Sequence, residues 1–227
     1  MNTLGKSNGH WRTQPMYSFK EVSRLSGVSV STVRNWLLGY STEQGEVKPL
    51  IKGHPAEEKA CSFLHLIEII VAARFRKAEH KSYEKVRLAY DNARRIFNLE
   101  YPFASMDLEA IGGHIVHIMR TPGISLQALD QPAQYTIPNL VQEAIAQIEY
   151  EYDLAARWYP AGKDIPIVVD PRISAGLPII KGRGITVEAI QRRYFQAKQK
   201  MEFIERDFEL EHDVVEEAIR FAEAAAV

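Results

Sequence analysis

The stretch YSFKEVSRLSGVSVSTVRNWLLGY, residues 17–40, decides the fold of the first part of this chain. Ser18 can cap a first helix, and Glu21 follows three residues later, which is the capping-box pattern. Gly27 then supplies a residue that can adopt the left-handed conformation of a sharp turn. The spacing therefore predicts a short helix that ends at a tight turn.

A second helix follows the turn, and either Ser29 or Ser31 can cap it. Apolar residues then recur at helical spacing, which predicts one face packed on a core: Val30, Val33, Trp36 and Leu37. The whole stretch predicts a helix-turn-helix. The question it raises is what the second helix contacts.

The start of the second helix has the side chains that a DNA-reading helix needs. Ser29, Ser31 and Thr32 make a slim, hydroxyl-lined tip, which suits a major groove about 12 Å wide and phosphates at a helix N-terminus. Arg34 can read guanine and Asn35 can read adenine. We predict that these five residues bind DNA. The alternative is an ordinary pair of bundle helices with Arg34 merely solvated.

Residues 40–55 contain several helix-breaking residues, namely Gly45, Pro49, Gly53 and Pro55. This composition predicts a β-wing or an irregular loop, with a short strand possible at 47–51. Lys48 lies in this segment and completes the predicted DNA-binding set.

Two longer helices are predicted next. Residues 62–78 are apolar on nearly all sides, as in a helix that is buried on more than one face. Residues 82–97 are amphipathic with heptad-like spacing, which suits a helix packed on a partner. We predict that this helix forms a homodimer seam through four residues: Tyr83, Val86, Tyr90 and Phe97.

The rest of the chain is mixed and then helical. Strands are predicted at 115–119 and 124–129, a helix at 138–148, and an extended aromatic segment at 150–159. Its aromatic rings, Tyr150, Tyr152, Trp158 and Tyr159, can form either a ligand cage or part of a core. Pro and Gly residues predict a turn-and-strand element at 165–185. Three helices are expected after it, at 186–198 with Thr186 as its cap, 201–207 and 212–225.

The predicted fold class is mainly α with small β elements. We expect a winged helix-turn-helix domain, a mixed middle region and a small helical C-terminal domain. The predicted boundaries are a flexible arm at 1–16, a DNA-binding domain with its following helices at 17–98, a middle region at 99–163, and a C-terminal domain at 164–227.

Composition narrows the classes of function. The chain of 227 residues is 46% hydrophobic and 25% charged, enough for a real core. Its one cysteine, Cys61, excludes an internal disulfide framework. A single cysteine also fits a reducing cytoplasm, where we expect the protein. We expect no signal peptide, because no N-terminal apolar stretch follows a basic region. We expect no membrane partner, because the longest apolar run, Phe63–Phe75, is too short for a membrane span and contains charged residues.

Charge is unevenly distributed along the chain. Residues 1–100 contain 16 Lys+Arg and 10 Asp+Glu, whereas residues 201–227 contain 2 and 9. A basic front and an acidic end indicate different partners for the two ends, or simply two solvated surfaces.

Signals for an enzyme or a metal site are weak. His114 and His117 fall in a predicted strand, where positions i and i+3 face opposite sides. Cys61, His54 and His65 lack a fourth ligand. The segment Gly182-Arg183-Gly184 does not match a phosphate-binding loop, and we find no nucleophile motif or paired catalytic carboxylates. We therefore expect no catalytic residues, no metal and no cofactor.

The segment FKEVSRLSGVSVSTVRNWLLGY resembles the start of a MerR-type winged helix-turn-helix. That family runs Gly-Val-Ser, then Arg-Thr-Leu-Arg and two aromatic residues. Thr32 and Arg34 match the pattern. Ser31 stands where the family has Arg, and Asn35 stands where it has the first aromatic residue, so a base preference is not transferred.

A second resemblance lies in DPRISAGLPIIKGRGITVEAI, residues 170–190. It is similar to the signature Asp-Pro-Arg-x-x-x-Gly-x-Pro-x-Ile-x-Gly-Thr-Arg-Ile-x-Val of a small prokaryotic domain long catalogued as of unknown function. Such domains are now mostly described as parts of antitoxins. Leu177 replaces a usual Arg, and Arg183-Gly184 replaces Thr-Arg.

Together the two segments resemble the VapB-like antitoxins. This resemblance implies a type II antitoxin that neutralises a PIN-like ribonuclease toxin and binds its own operator DNA. We expect Arg172, Lys181 and Arg183 to contact the toxin, where Arg172 or Arg183 can enter an acidic metal site. Alternatively, Arg172 pairs locally with Asp170 or Asp164. The rival function is a MerR-like transcription regulator that responds to a small-molecule effector.

Overall fold

The computed structural model describes residues 10–43, 45–54, 60–80, 82–108, 115–116 and 138–225, with side chains described as far as residue 221. The strand predicted at 124–129 and most of the arm lie outside these ranges. Ile115 and Val116 are helical and buried, so the strand predicted to begin there is wrong at these two positions.

Helices dominate the described part of the chain, which confirms the predicted fold class. The α-helices are α1 His10–Thr13, α2 Phe19–Ser26, α3 Val30–Leu38, α4 Phe63–Glu79, α5 Tyr83–Phe97, α6 Asn139–Ala146, α7 Val187–Gln191, α8 Met201–Phe208 and α9 His212–Ala225. A π-helical turn, Arg192–Gln196, continues α7, so the α-helix predicted at 186–198 is shorter than expected.

The strands are short. They are β1 Tyr17–Ser18, β2 Tyr40–Thr42, β3 Gly45–Val47, β4 Ala60–Cys61, β5 Ile148–Glu151, β6 Leu154–Trp158, β7 Ile167–Val169 and β8 Pro178–Ile180. β1 pairs with β4, β2 pairs with β3, and β5 to β8 form one sheet in chain order. The predicted extended segment at 150–159 is thus a hairpin, with Tyr152 and Asp153 at positive φ in its turn.

The chain divides into two compact units. The N-terminal unit contains Thr13–Ala146 and Tyr150–Ala155, and the C-terminal unit contains Gln147–Glu149, Ala156–Val227 and the first twelve residues. The region 99–163, predicted as a separate middle domain, is therefore distributed over both units. Its described residues 99–108 lie in the N-terminal unit, and its described residues 138–163 are divided between the two units.

Helix α4 is the core of the N-terminal unit, as its all-round apolar sequence predicts. It begins at the cap residue Ser62, whose hydroxyl accepts from the His65 N–H at 3.2 Å, and it packs on α2, α5 and α6. Its apolar residues from Phe63 to Ala72 are almost completely buried. Each such side chain contributes about 1.5–3 kcal/mol to folding.

One carboxyl group lies inside this apolar core. Glu68 is fully buried, and its carboxyl oxygens accept from the Tyr90 hydroxyl at 2.6 Å and the Phe103 N–H at 3.2 Å. Burial raises the pKa of Glu68 to about 8, although both hydrogen bonds lower it. Glu68 is therefore mostly protonated at neutral pH. A neutral carboxyl with two partners costs far less to bury than a charge.

The core of the C-terminal unit forms between the β7–β8 ladder and helices α7 to α9. Val168 pairs with Ile179 in the ladder, and Thr186 caps α7 by accepting from the Ala189 N–H at 3.2 Å, as predicted. The buried apolar residues come from every one of these elements: Ile167, Ile180, Val187, Ile190, Ile204, Leu210, Val215, Ala218 and Ile219.

We predict that Glu68→Gln removes a pH dependence of stability. Between the ordinary pKa of 4.5 and the folded value of about 8, the unfolded chain has lost the Glu68 proton while the folded chain retains it. Rising pH then favours unfolding, by at most about 1.4 kcal/mol per pH unit. Gln is neutral throughout, so E68Q should become progressively more stable than wild type from pH 5 to pH 8.

Urea unfolding followed by circular dichroism at pH 5, 6.5 and 8 measures this difference. Burial lowers the pKa of His65 to about 4, which also makes stability depend on pH. This contribution is the same in both proteins and cancels when their free energies of unfolding are compared. Parallel stability profiles for the two proteins would show that Glu68 is ionised in the folded chain.

Candidate nucleic-acid interface

Helices α2 and α3 are joined by a turn of three residues, as residues 17–40 predict. Ser18 and Glu21 form both hydrogen bonds of the capping box, at 3.3 and 2.8 Å, at the start of α2. Gly27 ends α2 at φ 71°, and its N–H donates to the Ser23 carbonyl at 3.0 Å. This left-handed cap turns the chain into α3.

Helix α3 begins at Ser29, which is therefore the cap in preference to Ser31. The Ser29 hydroxyl accepts from the Thr32 N–H at 3.2 Å and donates to the Thr32 hydroxyl at 2.8 Å. The Ser31 hydroxyl lies 3.1 Å from that of Ser29. Three hydroxyl groups thus lie together at the N-terminus of α3, and the N-terminus of a helix is suited to binding an anion.

Five of the six predicted DNA-binding residues lie in α3 or at its cap, and Lys48 follows the hairpin. Ser29, Ser31 and Arg34 of α3 are exposed, while Thr32 and Asn35 are half-buried. The opposite face of α3 is buried through Val33, Trp36 and Leu37, as predicted. Val30 is the exception among the predicted core residues, because its side chain is 45% exposed.

A β-hairpin follows α3, although not where a strand was expected. β2 pairs with β3 in the register Tyr40 to Val47, so of the possible strand at 47–51 only Val47 is in a strand. Leu50 and Ile51 are instead buried, and their N–H groups both donate to the Trp36 carbonyl, at 2.9 and 3.0 Å. The exposed Lys48 lies between the hairpin and this attachment.

Tyr83 connects the hairpin to helix α5. Its hydroxyl donates to the Lys48 carbonyl at 2.6 Å, and its ring meets the Tyr40 ring edge-on with centroids 6.1 Å apart. Sequence reasoning placed Tyr83 in a dimer seam, because an aromatic residue on an amphipathic helix has the same pattern in either role. A hydrogen bond across 35 residues leaves no signal in the local spacing.

The predicted dimer seam needs a correction. Val86 and Tyr90 have no exposed surface, because both lie in the core beside α4, so they are not available to a second chain. Phe97 remains 38% exposed, and the same helix also exposes Leu88 and Ile96. The heptad-like spacing of α5 thus reflects packing inside its own unit.

In the C-terminal unit, Asp170 organises the predicted toxin-contacting residues. Its side chain is nearly buried and accepts from the Arg172 N–H, the Arg172 guanidinium and the Arg157 guanidinium, at 2.8–2.9 Å. Burial raises the pKa of Asp170, but these hydrogen bonds outweigh it and hold the pKa below its usual value. The local pairing of Arg172 with Asp170 is therefore the arrangement observed.

Each of the three predicted basic residues has a local contact. The Arg172 guanidinium also lies 4.6 Å from the centre of the Trp11 ring, and the Lys181 ammonium lies 5.1 Å from that of Tyr159. Arg183 donates to the Glu209 carbonyl at 3.1 Å, yet its side chain is 51% exposed. Arg183 is more loosely held than Arg172, whose side chain is 31% exposed.

The described ranges bear on the weak sequence signals for a metal site and on the requirements of a membrane span. No group of three or more His, Cys, Asp or Glu side chains is placed there to hold a metal ion. His54 and His65 do lie together, with ring centroids 5.3 Å apart, but His114 and His117 fall outside the described ranges. No described helix has both the length and the apolar character required to cross a bilayer.

Comparison with known proteins identifies a family match in the C-terminal part of the chain. Residues 167–222 match the model of a family described as "Protein of unknown function (DUF433)". This span contains β7, β8 and helices α7 and α8 entirely, and most of α9. The match covers the module that Asp170 organises, and it does not extend to the helix-turn-helix.

Two mycobacterial proteins are similar to this chain. The solved X-ray structure of Rv2018 from Mycobacterium tuberculosis superposes with a TM-score of 0.70, covering 91% of this chain and 97% of that one at 23% identity, which is a likeness of fold. The uncharacterized protein Rv2308 of Mycobacterium tuberculosis strain H37Rv is 25% identical over 91 residues. That match spans 40% of this chain and only 38% of Rv2308.

We predict that Gly39→Ala disrupts the junction of α3 and the hairpin. Gly39 has φ 74° and ψ −174°, a region open almost only to glycine, and an added Cβ would lie 2.4 Å from the Val47 carbonyl oxygen. We expect a loss of more than about 3 kcal/mol in the free energy of unfolding, because strain and a backbone clash add.

Gly27→Ala is the matched control, since its φ is similar but its added Cβ would meet nothing within 4 Å. It should lose only about 1–2 kcal/mol, the cost of a left-handed residue. Equal losses in urea unfolding for the two variants would show that the contact with Val47 is relieved by movement of the hairpin.

Proposed function

We propose that this protein is a DNA-binding antitoxin of a type II toxin–antitoxin pair. It binds its own operator through α3 and neutralises a PIN-like ribonuclease through its C-terminal module. The observation that carries the proposal is the exposed, hydroxyl-lined tip of α3, whose opposite face is locked into the core by Val33, Trp36 and Leu37.

The tip of α3 supports DNA binding on steric and electrostatic grounds. Small side chains at Ser29 and Ser31 let a helix end approach the groove floor, and free helix N–H groups bind phosphate. Arg34 projects from the accessible side one turn later, where a guanidinium can reach the two acceptors of guanine. Lys48 is exposed beside the hairpin and supplies a phosphate contact. The resemblance to MerR-type readers agrees with this assignment.

A reader of this kind acts as a homodimer, because two recognition helices about 34 Å apart match successive turns of one DNA face. With Val86 and Tyr90 buried, the exposed residues Ile96 and Phe97 at the end of α5 take over the proposed dimer seam. They are apolar and accessible on the same helix.

The C-terminal module supports the toxin-binding half of the proposal. The Asp-Pro-Arg signature forms a stiff element, because Asp170 holds both its own neighbour Arg172 and the distant Arg157. Rigid, cationic surfaces of this kind suit a partner with an acidic site, such as a nuclease that binds metal ions through carboxylates. Arg183, which is freer than Arg172, is our choice for the residue that enters that site.

The rival function, regulation by a small effector, required an aromatic cage at 150–159. The four rings face different environments: Tyr152 is 79% exposed in the hairpin turn, whereas Trp158 and Tyr159 are buried. An enclosed cage needs buried rings, and the exposed ring of Tyr152 does not supply one. The antitoxin is therefore the proposal that the placement of these residues favours.

For DNA binding, we predict that Arg34→Ala weakens specific binding by about 1–3 kcal/mol, the value of one bidentate contact with a base. The probe is the duplex that the protein itself selects from a random 30-base-pair library, and fluorescence anisotropy gives Kd at several salt concentrations. Arg76→Ala removes an exposed arginine at the end of α4 and should leave Kd unchanged.

A loss that appears equally on unselected DNA, with a smaller dependence on salt, would instead identify Arg34 as a phosphate contact. If no duplex is enriched over repeated rounds of selection, the DNA-binding half of the proposal is wrong.

For toxin binding, we predict that Arg183→Ala weakens neutralisation more than Arg172→Ala does. Arg183 is exposed and contacts Glu209, through the carbonyl at 3.1 Å and the carboxylate at 3.9 Å, whereas Arg172 is engaged by Asp170 and Trp11. The probe is the purified product of the adjoining reading frame, assayed for cleavage of RNA with and without this protein. Lys163→Ala, an exposed cation of the same unit, is the control. Full neutralisation by the double variant R172A/R183A would exclude both arginines.

A further inference from the structure

The surface of α3 contains an apolar side chain that its core does not use. Val30 is the first residue of the helix, between the exposed Ser29 and Ser31, and 45% of its surface is accessible. Among described residues 10–54, the large apolar side chains with comparable exposure are Val30 and Tyr40, and Tyr40 packs against Tyr83. Val30 therefore presents its methyl groups to the solvent at the tip of α3.

An exposed valine at this position has a clear chemical counterpart in the major groove. Thymine presents a C5-methyl group there, and apolar side chains read it by direct contact. Cytosine has only a hydrogen at C5, and adenine and guanine have no methyl group in this groove. A β-branched side chain is also stiff at χ1, so its methyl groups are held in place before DNA arrives.

The position of Val30 relative to Arg34 sets which base pair it faces. The two residues are four apart, so they lie along one side of the helix, separated by about 6 Å along its axis. Base pairs are stacked about 3.4 Å apart along a strand. The base contacted by Val30 therefore lies one or two base pairs from a guanine contacted by Arg34.

We propose that Val30 is a specificity-determining residue that reads the methyl group of a thymine one or two base pairs from the guanine read by Arg34. The proposal rests on the proposed DNA binding and adds to it the identity of a base. The hydroxyl groups of Ser29 and Ser31 flank the valine and contact phosphates, which fixes the depth at which its methyl groups enter the groove.

Replacing thymine by uracil tests this contact alone, because uracil lacks the methyl group and keeps every hydrogen-bonding atom. In the selected duplex, each thymine is replaced by deoxyuridine one position at a time, and anisotropy gives Kd at fixed salt. At one thymine per half-site, we expect the substitution to weaken the affinity of wild type about fourfold, which is the effect of one buried methyl group. At the other thymines the affinity should change little.

The variant Val30→Ala, whose single methyl group lies closer to the helix backbone, should lose most of the response to uracil at that same thymine while retaining its response to other substitutions. Alanine is a better helix former than valine, so α3 should persist, and thermal unfolding checks this. Met106→Ala, which removes another exposed apolar side chain of the same unit, should keep the full fourfold response.

The outcomes separate the inference from the proposed function. A selected duplex in which no single uracil matters, or in which V30A responds to uracil as wild type does, would overturn the role of Val30 and leave operator binding standing. Failure to select any duplex would overturn the proposed DNA binding itself, and the inference with it.

Discussion

The carbonyl oxygen of Trp36 accepts hydrogen bonds from two successive N–H groups, those of Leu50 and Ile51. This pair of bonds fastens the segment after the hairpin to the last turn of α3, while the Trp36 ring is buried in the core. The direction in which α3 projects its first turn depends on that attachment. The attachment also requires Gly39, because only a residue without a Cβ can lie so close to the Val47 carbonyl oxygen.

The same unit has a second constraint inside α4. An apolar helix buried on every side needs no polar group, yet Glu68 lies in it with Tyr90 and the Phe103 backbone as partners. These bonds tie α4 to α5 and to the loop that contains Phe103. The pairing restricts how these elements pack, because any shift would leave a buried polar group without a partner.

The C-terminal module depends on a different kind of interaction. Asp170 accepts from four donor groups of two arginines, which explains why Asp and Arg occur together in the signature. The carboxylate stays ionised in the folded chain because these cations surround it. Arg172 is consequently part of the framework of the module, and the proposed contact with a nuclease passes to Arg183.

Local chemistry made much of this protein predictable. The capping box at Ser18 and Glu21, the left-handed turn at Gly27, the cap at Ser29 and the all-round burial of α4 follow from interactions among residues a few positions apart, or from hydrophobicity alone. The candidate DNA-binding residues were found in the same way, since caps and exposed faces of α3 are visible in its spacing.

Tertiary structure decided the rest. Tyr83, Val86 and Tyr90 share a spacing that suits both a dimer seam and a core, and only the positions of Lys48 and Glu68, far away in sequence, assign them to the core and the hairpin. Val30 follows the apolar period of α3 but lies beyond the edge of the core, at the end of its helix. The amino-acid sequence by itself determined the helices, caps and turns, because these are local; which apolar residues remained exposed was decided by the fold, because burial depends on distant parts of the chain.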